Sequence, residues 1–102
     1  MELSVERWEG PEAVSESVLQ EIYRSEGMNP YSWSNGPGDR YSAHSHGYHK
    51  VIYVLRGSIT WILPELDKRI ETGPGDRMDL PRGTVHAAEV GPQGVTCLEG
   101  HI

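Results

Sequence analysis

Several features that would mark particular classes of protein are scarce in this chain of 102 residues. Cys97 is the one cysteine, so no internal disulfide can form and a reducing compartment such as the cytoplasm is expected. No apolar run approaches the roughly 18 residues that a membrane-spanning helix needs. The first residues, Met1-Glu2-Leu3, lack the basic and apolar regions of a secretory signal. We therefore expect a cytoplasmic protein with no membrane partner.

Basic residues are also few. Nine lysines and arginines stand against fifteen aspartates and glutamates, which gives a net charge of −6. A nucleic-acid-binding protein would show a basic stripe, so nucleic acid is excluded as a partner. Much of the acidic charge lies in residues 1–26, which we interpret as a solvated outer segment.

Phenylalanine is absent, whereas the 12 glycines and 7 prolines favour short strands joined by tight turns over a helical bundle. Only the start of the chain has a helical pattern, because apolar residues recur at helical spacing between Glu12 and Glu26. Pro11 suits the first helical position and Gly27 the C-terminal stop. Residues 1–27 are therefore predicted to be a helical extension packed on the domain that follows.

After Gly27 the period changes to two, which predicts an all-β domain over residues 28–102 and one domain overall. Strands are predicted near 30–34, 40–46, 50–56, 59–63, 69–72, 76–80, 84–90 and 95–101. The stretch Arg56-Gly57-Ser58-Ile59 predicts a two-residue hairpin, and Gly91-Pro92-Gln93-Gly94 predicts a turn. Eight short strands that close into a barrel would leave few unpaired edges.

Histidines supply the chemistry. His44 and His46 are two apart on a predicted strand, so they point to one face and can share a metal ion. His86 follows the turn at Pro81-Arg82-Gly83 and can point inward early on its own strand. Three imidazoles would leave positions open for water or substrate, as in catalytic metal sites.

The spacing around these histidines resembles the two motifs of the cupin superfamily. The first motif is matched by Gly38, which is followed after five residues by His44, after one more by His46, and later by Gly57. The second is matched by Gly75, which is followed after five residues by Pro81, after one more by Gly83 and after two more by His86. The resemblance implies an RmlC-like jelly-roll barrel, or double-stranded β-helix. It also implies one divalent metal ion (Fe, Mn, Ni or Zn) held by His44, His46 and His86, and a homodimer.

Two positions depart from the family pattern. Lys50 stands where the first motif normally has a metal-binding glutamate, and Val90 stands where the second normally ends in asparagine. Either the ion rests on three histidines and Lys50 clamps an anionic substrate, or the Gly47-Tyr48 corner shifts register and His49 becomes a fourth ligand. Lys50 could equally form a rim ion pair with a carboxylate such as Asp79.

The resemblance implies metal-dependent chemistry of the dioxygenase, isomerase or lyase type on a small anionic compound. The alternative is a non-catalytic module that binds or senses a small ligand or metal, or a barrel that persists as a scaffold.

Other candidate residues receive structural interpretations. Trp33, Trp61 and Met78 are expected to fill the core, and Cys97 to be a small buried apolar residue. Glu99 is expected to point outward from the last strand and His101 to be solvated.

Overall fold

A computed structural model describes residues 2–10 and 12–102, and its strand pairs are antiparallel. In chain order the elements are β1 (Ser4–Glu6), α1 (Glu16–Ser25), β2 (Tyr31–Asn35), β3 (Arg40–His44), β4 (Lys50–Leu63), a short 3-10 turn (Pro64–Leu66), β5 (Lys68–Thr72), β6 (Arg77–Leu80) and β7 (His86–His101). The strands lie in the order β1-β6-β4-β7-β2, with β3 also beside β7 and β5 beside β4. Among the described residues, no helix is long and apolar enough to cross a membrane.

Alternation along the two long strands creates two apolar layers, one on each face of the sheet. The inner layer fills the barrel and includes Ile52, Val54, Trp61, Met78 and Cys97. The outer layer lies under α1 and includes Leu19, Tyr23, Val51, Tyr53 and Leu98. Lys50 and Ile52 are two apart on β4, so both side chains point to the inner face.

The predicted amphipathic helix is present, but it is shorter than its apolar pattern suggested. It begins at Glu16 because the hydroxyl of Ser15 accepts a hydrogen bond from the Val18 amide and caps the first turn. It ends before Gly27, which has a left-handed φ of 79° as a helix stop requires. The expectation for Pro11 lies outside the described residues. Upstream of the helix lies β1, a strand that the sequence pattern did not predict, and it pairs with β6.

The predicted hairpin at Arg56-Gly57-Ser58-Ile59 is wrong. Residues 91–94 do not separate two strands as predicted, although they have no partners in β4. Each of these two segments lies within a continuous strand, so the eight predicted strands become six, and the unpredicted β1 brings the number in the described part of the chain to seven. β4 and β7 pair along most of their length and bend together where their register shifts, near Gly57 and Gly94. At this bend a Cβ on Gly57 would lie 2.0 Å from the carbonyl oxygen of Gly94, so the backbones approach too closely for any side chain.

Candidate metal centre

Strand pairing brings the three histidines of the two motifs together. β3 lies beside β7, and the Cα atom of His44 is directly opposite that of His86. His46 follows β3 by two residues, and its carbonyl accepts a hydrogen bond from the Gly83 amide, 2.9 Å away. The turn that precedes His86 is thereby joined to the segment that carries His46.

The three imidazoles converge closely enough to share one ion. One ring nitrogen of each of His44, His46 and His86 lies within 4.8 Å of the others, and their ring centroids are 4.5–5.3 Å apart. His86 is buried, His46 half-buried and His44 exposed. The cluster therefore reaches from the barrel interior to its mouth, and it could hold a metal ion that stays accessible to small molecules.

Backbone carbonyls fix the orientation of two of these rings. Nδ1 of His44 lies 2.6 Å from the carbonyl oxygen of Ser42, and Nδ1 of His86 lies 2.9 Å from that of Thr84. Because a carbonyl oxygen only accepts, each Nδ1 carries the proton and each Nε2 keeps its lone pair. Metal-binding histidines in proteins are usually held in this way.

His46 has a buried nitrogen that no other group satisfies. Its Nδ1 lies 3.2 Å from the Tyr48 hydroxyl, whereas its Nε2 has no hydrogen-bond partner within the described part of the chain. An unpaired buried nitrogen costs about 1–3 kcal/mol, so such atoms are rare unless a ligand takes them up. The donor set and this unsatisfied nitrogen fit a divalent metal ion.

Local electrostatics keeps the imidazoles in the form that can bind metal. Burial lowers the pKa of His46, and the charges of Lys50 and His44 lower it further. Burial also lowers the pKa of His86, and this effect outweighs its hydrogen bond to Thr84. Both rings are therefore neutral near pH 7, with a free lone pair.

A cavity of about 330 Å³ opens beside the three histidines. The rest of its lining is largely aromatic, with one cation and one carboxylate: Tyr31, Trp33, Tyr41, Tyr48, Lys50, Trp61, Ala88 and Glu99. Trp33 and Trp61 thus belong to both the core and the cavity wall, whereas Met78 is buried in the core and does not line the cavity.

Lys50 points into the barrel and pairs with Glu99. The Lys50 ammonium nitrogen lies 3.6 Å from the carboxylate of Glu99, and the two side chains are only 12% and 5% exposed. Asp79, the partner considered from the sequence, instead accepts a hydrogen bond from Arg77 at 2.8 Å. The position of the motif glutamate therefore carries a buried positive charge whose partner comes from the last strand.

The expectation that Glu99 points outward is wrong. It is 3% exposed and accepts hydrogen bonds from Tyr31 at 2.6 Å, Trp33 at 3.2 Å and His101 at 2.7 Å. Burial alone would raise the pKa of Glu99, but the hydrogen bonds from Tyr31 and His101 and the charge of Lys50 outweigh burial and lower it. Alternation from the buried Cys97 was the sequence signal that placed Glu99 on the inner face.

The remaining candidates lie beside the three-histidine cluster. His49 is outside that cluster, and its Nδ1 accepts a hydrogen bond from the Arg82 amide at 2.9 Å. His101 is 37% exposed, but it is bound to Glu99 and its ring lies 4.2 Å from that of Tyr48. Cys97 is fully buried, which raises the pKa of its thiol to about 12 and leaves it unreactive.

Comparison with known proteins gives matches in structure alone. No protein-family model matches the sequence, and neither does any curated protein. The polyketide cyclase RemF of Streptomyces resistomycificus superimposes with a TM-score of 0.64 and 28% identity over 76% of this chain, which spans 58% of that protein.

Two further solved structures share the architecture. An RmlC-like cupin of Shewanella frigidimarina matches with a TM-score of 0.62 and 19% identity, over 72% of this chain and 64% of that one. The DMSP lyase DddQ of Ruegeria pomeroyi matches with a TM-score of 0.65 and 22% identity, over 72% of this chain and 37% of that one. The chain therefore has the fold of the cupin superfamily, a double-stranded β-helix, as its two motifs predict.

Proposed function

We propose that the protein is a metal-dependent enzyme that moves protons on a small anionic compound, as lyases, isomerases and cyclases do. The observation that carries the proposal is the convergence of His44, His46 and His86, with the unpartnered Nε2 of His46, on an open cavity. In this proposal these three residues hold one divalent ion, and His49 remains outside the ligand set.

Neutral ligands give such a site its chemical character. His44, His46 and His86 would hold a divalent ion without reducing its charge, and that ion would supply polarisation of an oxygen atom of a bound carbonyl, carboxylate or enediol. In most cupins a carboxylate at the position of Lys50 would reduce that charge. Here Lys50 is positive and is balanced by Glu99, so the ion would keep its full charge and the site would favour an anionic substrate more than a site with a metal-binding glutamate.

Residues of the chain can also handle the proton. Burial and the bond to Glu99 raise the pKa of the Tyr31 hydroxyl, so it stays protonated. Its one proton is donated to Glu99, so Tyr31 would donate to an oxygen of the substrate only when that oxygen replaces the carboxylate as acceptor, and the proton lost from carbon would pass to solvent water. Glu99 stays ionised because three donors and Lys50 face it, and it therefore orients Tyr31 and Lys50 instead of taking up a proton itself. Lys50 thus has the role of substrate clamp.

The names of similar structures support an enzyme of this kind. One is a polyketide cyclase and another a DMSP lyase, and both of those activities transform small organic molecules. The polyketide cyclase has the higher sequence identity, although this chain spans only part of it.

Metal binding tests the first half of the proposal. Protein purified without a nickel column is analysed for metals, stripped with a chelator and titrated with Co²⁺ under visible absorbance. We expect stoichiometric binding that His44→Ala and His86→Ala each abolish, while His49→Gln and His101→Gln retain it. Undiminished binding by a combined His44→Ala, His86→Ala variant would show that the ligand set is wrong.

Proton transfer tests the second half. Phenylpyruvate, a carboxylate with acidic C–H bonds, is incubated with metal-loaded protein in D₂O, and deuterium uptake is followed by proton NMR. We expect the metal-loaded protein to accelerate uptake, and Tyr31→Phe to reduce the acceleration on the order of 100-fold. Uptake no faster than with the metal-stripped protein would favour a non-catalytic binding role.

Assembly and location form a separate part of the proposal. We propose that the protein is a homodimer, because proteins that resemble cupins commonly dimerise. We also propose that it is located in the cytoplasm, because its single cysteine is free and buried. Light scattering coupled to size-exclusion chromatography would measure the mass, and a monomer at micromolar concentration would contradict the dimer.

A further inference from the structure

The cavity beside the histidines has an aromatic mouth. Three of its lining tyrosines are partly exposed, Tyr31 at 50%, Tyr41 at 37% and Tyr48 at 38%. Trp33 and Trp61 form deeper parts of the same wall. Large aromatic side chains that face solvent inside a concave site are typical of ligand contact surfaces.

The hydroxyl groups of these tyrosines already have partners in the protein. Tyr31 donates to Glu99, Tyr41 donates to the side chain of Asn35, and Tyr48 lies beside Nδ1 of His46. Because the polar ends are engaged, the rings offer mainly carbon surface to a ligand. Such surface favours flat, conjugated groups, since aromatic rings attract one another beyond simple burial.

Apart from the histidines, Lys50 is the one basic side chain in the described lining of the cavity. Lys50 is 12% exposed, and its ammonium group can donate three hydrogen bonds. The Glu99 carboxylate, 3.6 Å away, lies on one side of that group, so other donor directions are open to a ligand. Tyr31, Trp33 and His101 already bond to Glu99, so Glu99 does not depend on Lys50 alone. Lys50 is therefore the donor that remains for an incoming anion.

Resting on the proposed function, we infer that the substrate is a small aromatic carboxylate. Its ring packs among Tyr31, Tyr41 and Trp33, and its carboxylate binds Lys50. The volume of about 330 Å³ lies at the lower end of the roughly 300–1,000 Å³ range of ligand pockets, which suits one or two rings. This class matches two properties of the lining, its aromatic carbon and its one lysine, whose partner Glu99 already accepts three hydrogen bonds.

Three matched probes separate those properties. Benzoate has both the ring and the charge, cyclohexanecarboxylate has the charge without the planar ring, and benzamide has the ring without the charge. Binding is followed by the fluorescence of the tryptophans, two of which line the cavity. We expect benzoate to bind about fivefold more tightly than each of the other two. Simple hydrophobicity would give the opposite order for the two acids, since cyclohexane is the more apolar ring.

Variants assign each preference to its residue. Lys50→Met should abolish the preference for benzoate over benzamide, whereas Lys68→Met, an exposed lysine away from the cavity, should leave it unchanged. Tyr41→Leu should remove the preference for benzoate over cyclohexanecarboxylate, with Tyr31→Leu as a second variant if the first is unstable.

The outcomes distinguish this inference from the proposed function. Equal affinity for the two acids in the unmodified protein, in samples that bind Zn²⁺ normally, would overturn the aromatic substrate and leave the metal centre intact. Conversely, a protein that prefers benzoate but binds no Zn²⁺ would refute the metal-dependent function and keep the aromatic acid as the ligand.

Discussion

At the residue scale, the Lys50–Glu99 pair is the most consequential departure from the motif. Glu99 is buried and Lys50 is largely buried, but their partners differ in number. Glu99 keeps three hydrogen-bond donors when Lys50 is removed, whereas Lys50 has no other carboxylate within 4.0 Å among the described residues. Loss of Glu99 therefore leaves a buried, unpaired ammonium group.

This asymmetry gives a prediction for stability. Glu99→Gln should lower the free energy of unfolding by about 3–5 kcal/mol, the usual cost of breaking a buried pair, and Lys50→Met should lower it by less. The double variant should lose less than the sum, because neither charge then remains. Urea denaturation of the four proteins at pH 7 measures the cycle. Equal single losses that add without coupling would mean that the two charges do not interact.

At the element scale, the bend shared by β4 and β7 shapes the barrel. A Cβ at Gly57 would overlap the backbone of Gly94, and its φ of 77° is itself unfavourable for other residues. Gly38 has a similar φ of 73° but nothing within 4 Å of its Cβ position, so it provides a matched control.

Replacement of these glycines by alanine should therefore differ sharply. Gly38→Ala should cost about 1 kcal/mol, the price of the backbone conformation alone. Gly57→Ala adds a backbone clash that no rotamer can relieve, and we expect a loss of at least about 3 kcal/mol or failure to fold. Thermal unfolding of both variants gives the comparison, and similar melting temperatures would show that the bend can relax.

The same bend shows what could be predicted from sequence and what could not. Motif spacing predicted the fold, and the structure brings His44, His46 and His86 together as that spacing implied. A glycine with a left-handed φ is equally suited to a hairpin turn and to a bend within a strand. The pattern at Gly57 therefore did not distinguish a β4 that turns back on itself from one that continues beside β7. Only long-range pairing decides between them, and local pattern does not report it.

The direction of charged side chains was harder to predict for a related reason. Alternation put Glu99 on the inner face, but a carboxylate is buried only where donors meet it. Two of its three donors, Tyr31 and Trp33, come from β2, and the ion-pair partner Lys50 comes from β4, segments far from Glu99 in sequence. The pocket wall therefore depends on tertiary contacts, whereas the three histidines follow a compact motif.

At the scale of the whole molecule, the buried His86 and the half-buried His46 couple the stability of the barrel to pH. The pKa values of His46 and His86 are lowered in the folded state, so below the ordinary histidine pKa of about 6.5 the unfolded chain binds more protons. Stability is then complete above pH 6.5 and falls as the pH decreases below it. In metal-free protein, urea denaturation between pH 8 and pH 5 should show this loss, and His86→Asn should reduce its slope.

A bound metal ion should enlarge the same dependence, because it binds the neutral imidazoles of the folded state alone. At pH 7.5, Zn²⁺ at about 100 times its Kd should add about 2.7 kcal/mol, enough to raise the Tm of a domain of this size by about 10–20 °C. At pH 5 protons compete for the same lone pairs, so most of that increase should disappear. The combined His44→Ala, His86→Ala variant should show no increase at either pH. An increase in Tm that persisted at pH 5, or in this variant, would place the metal on carboxylates at the acidic surface instead of on the histidines.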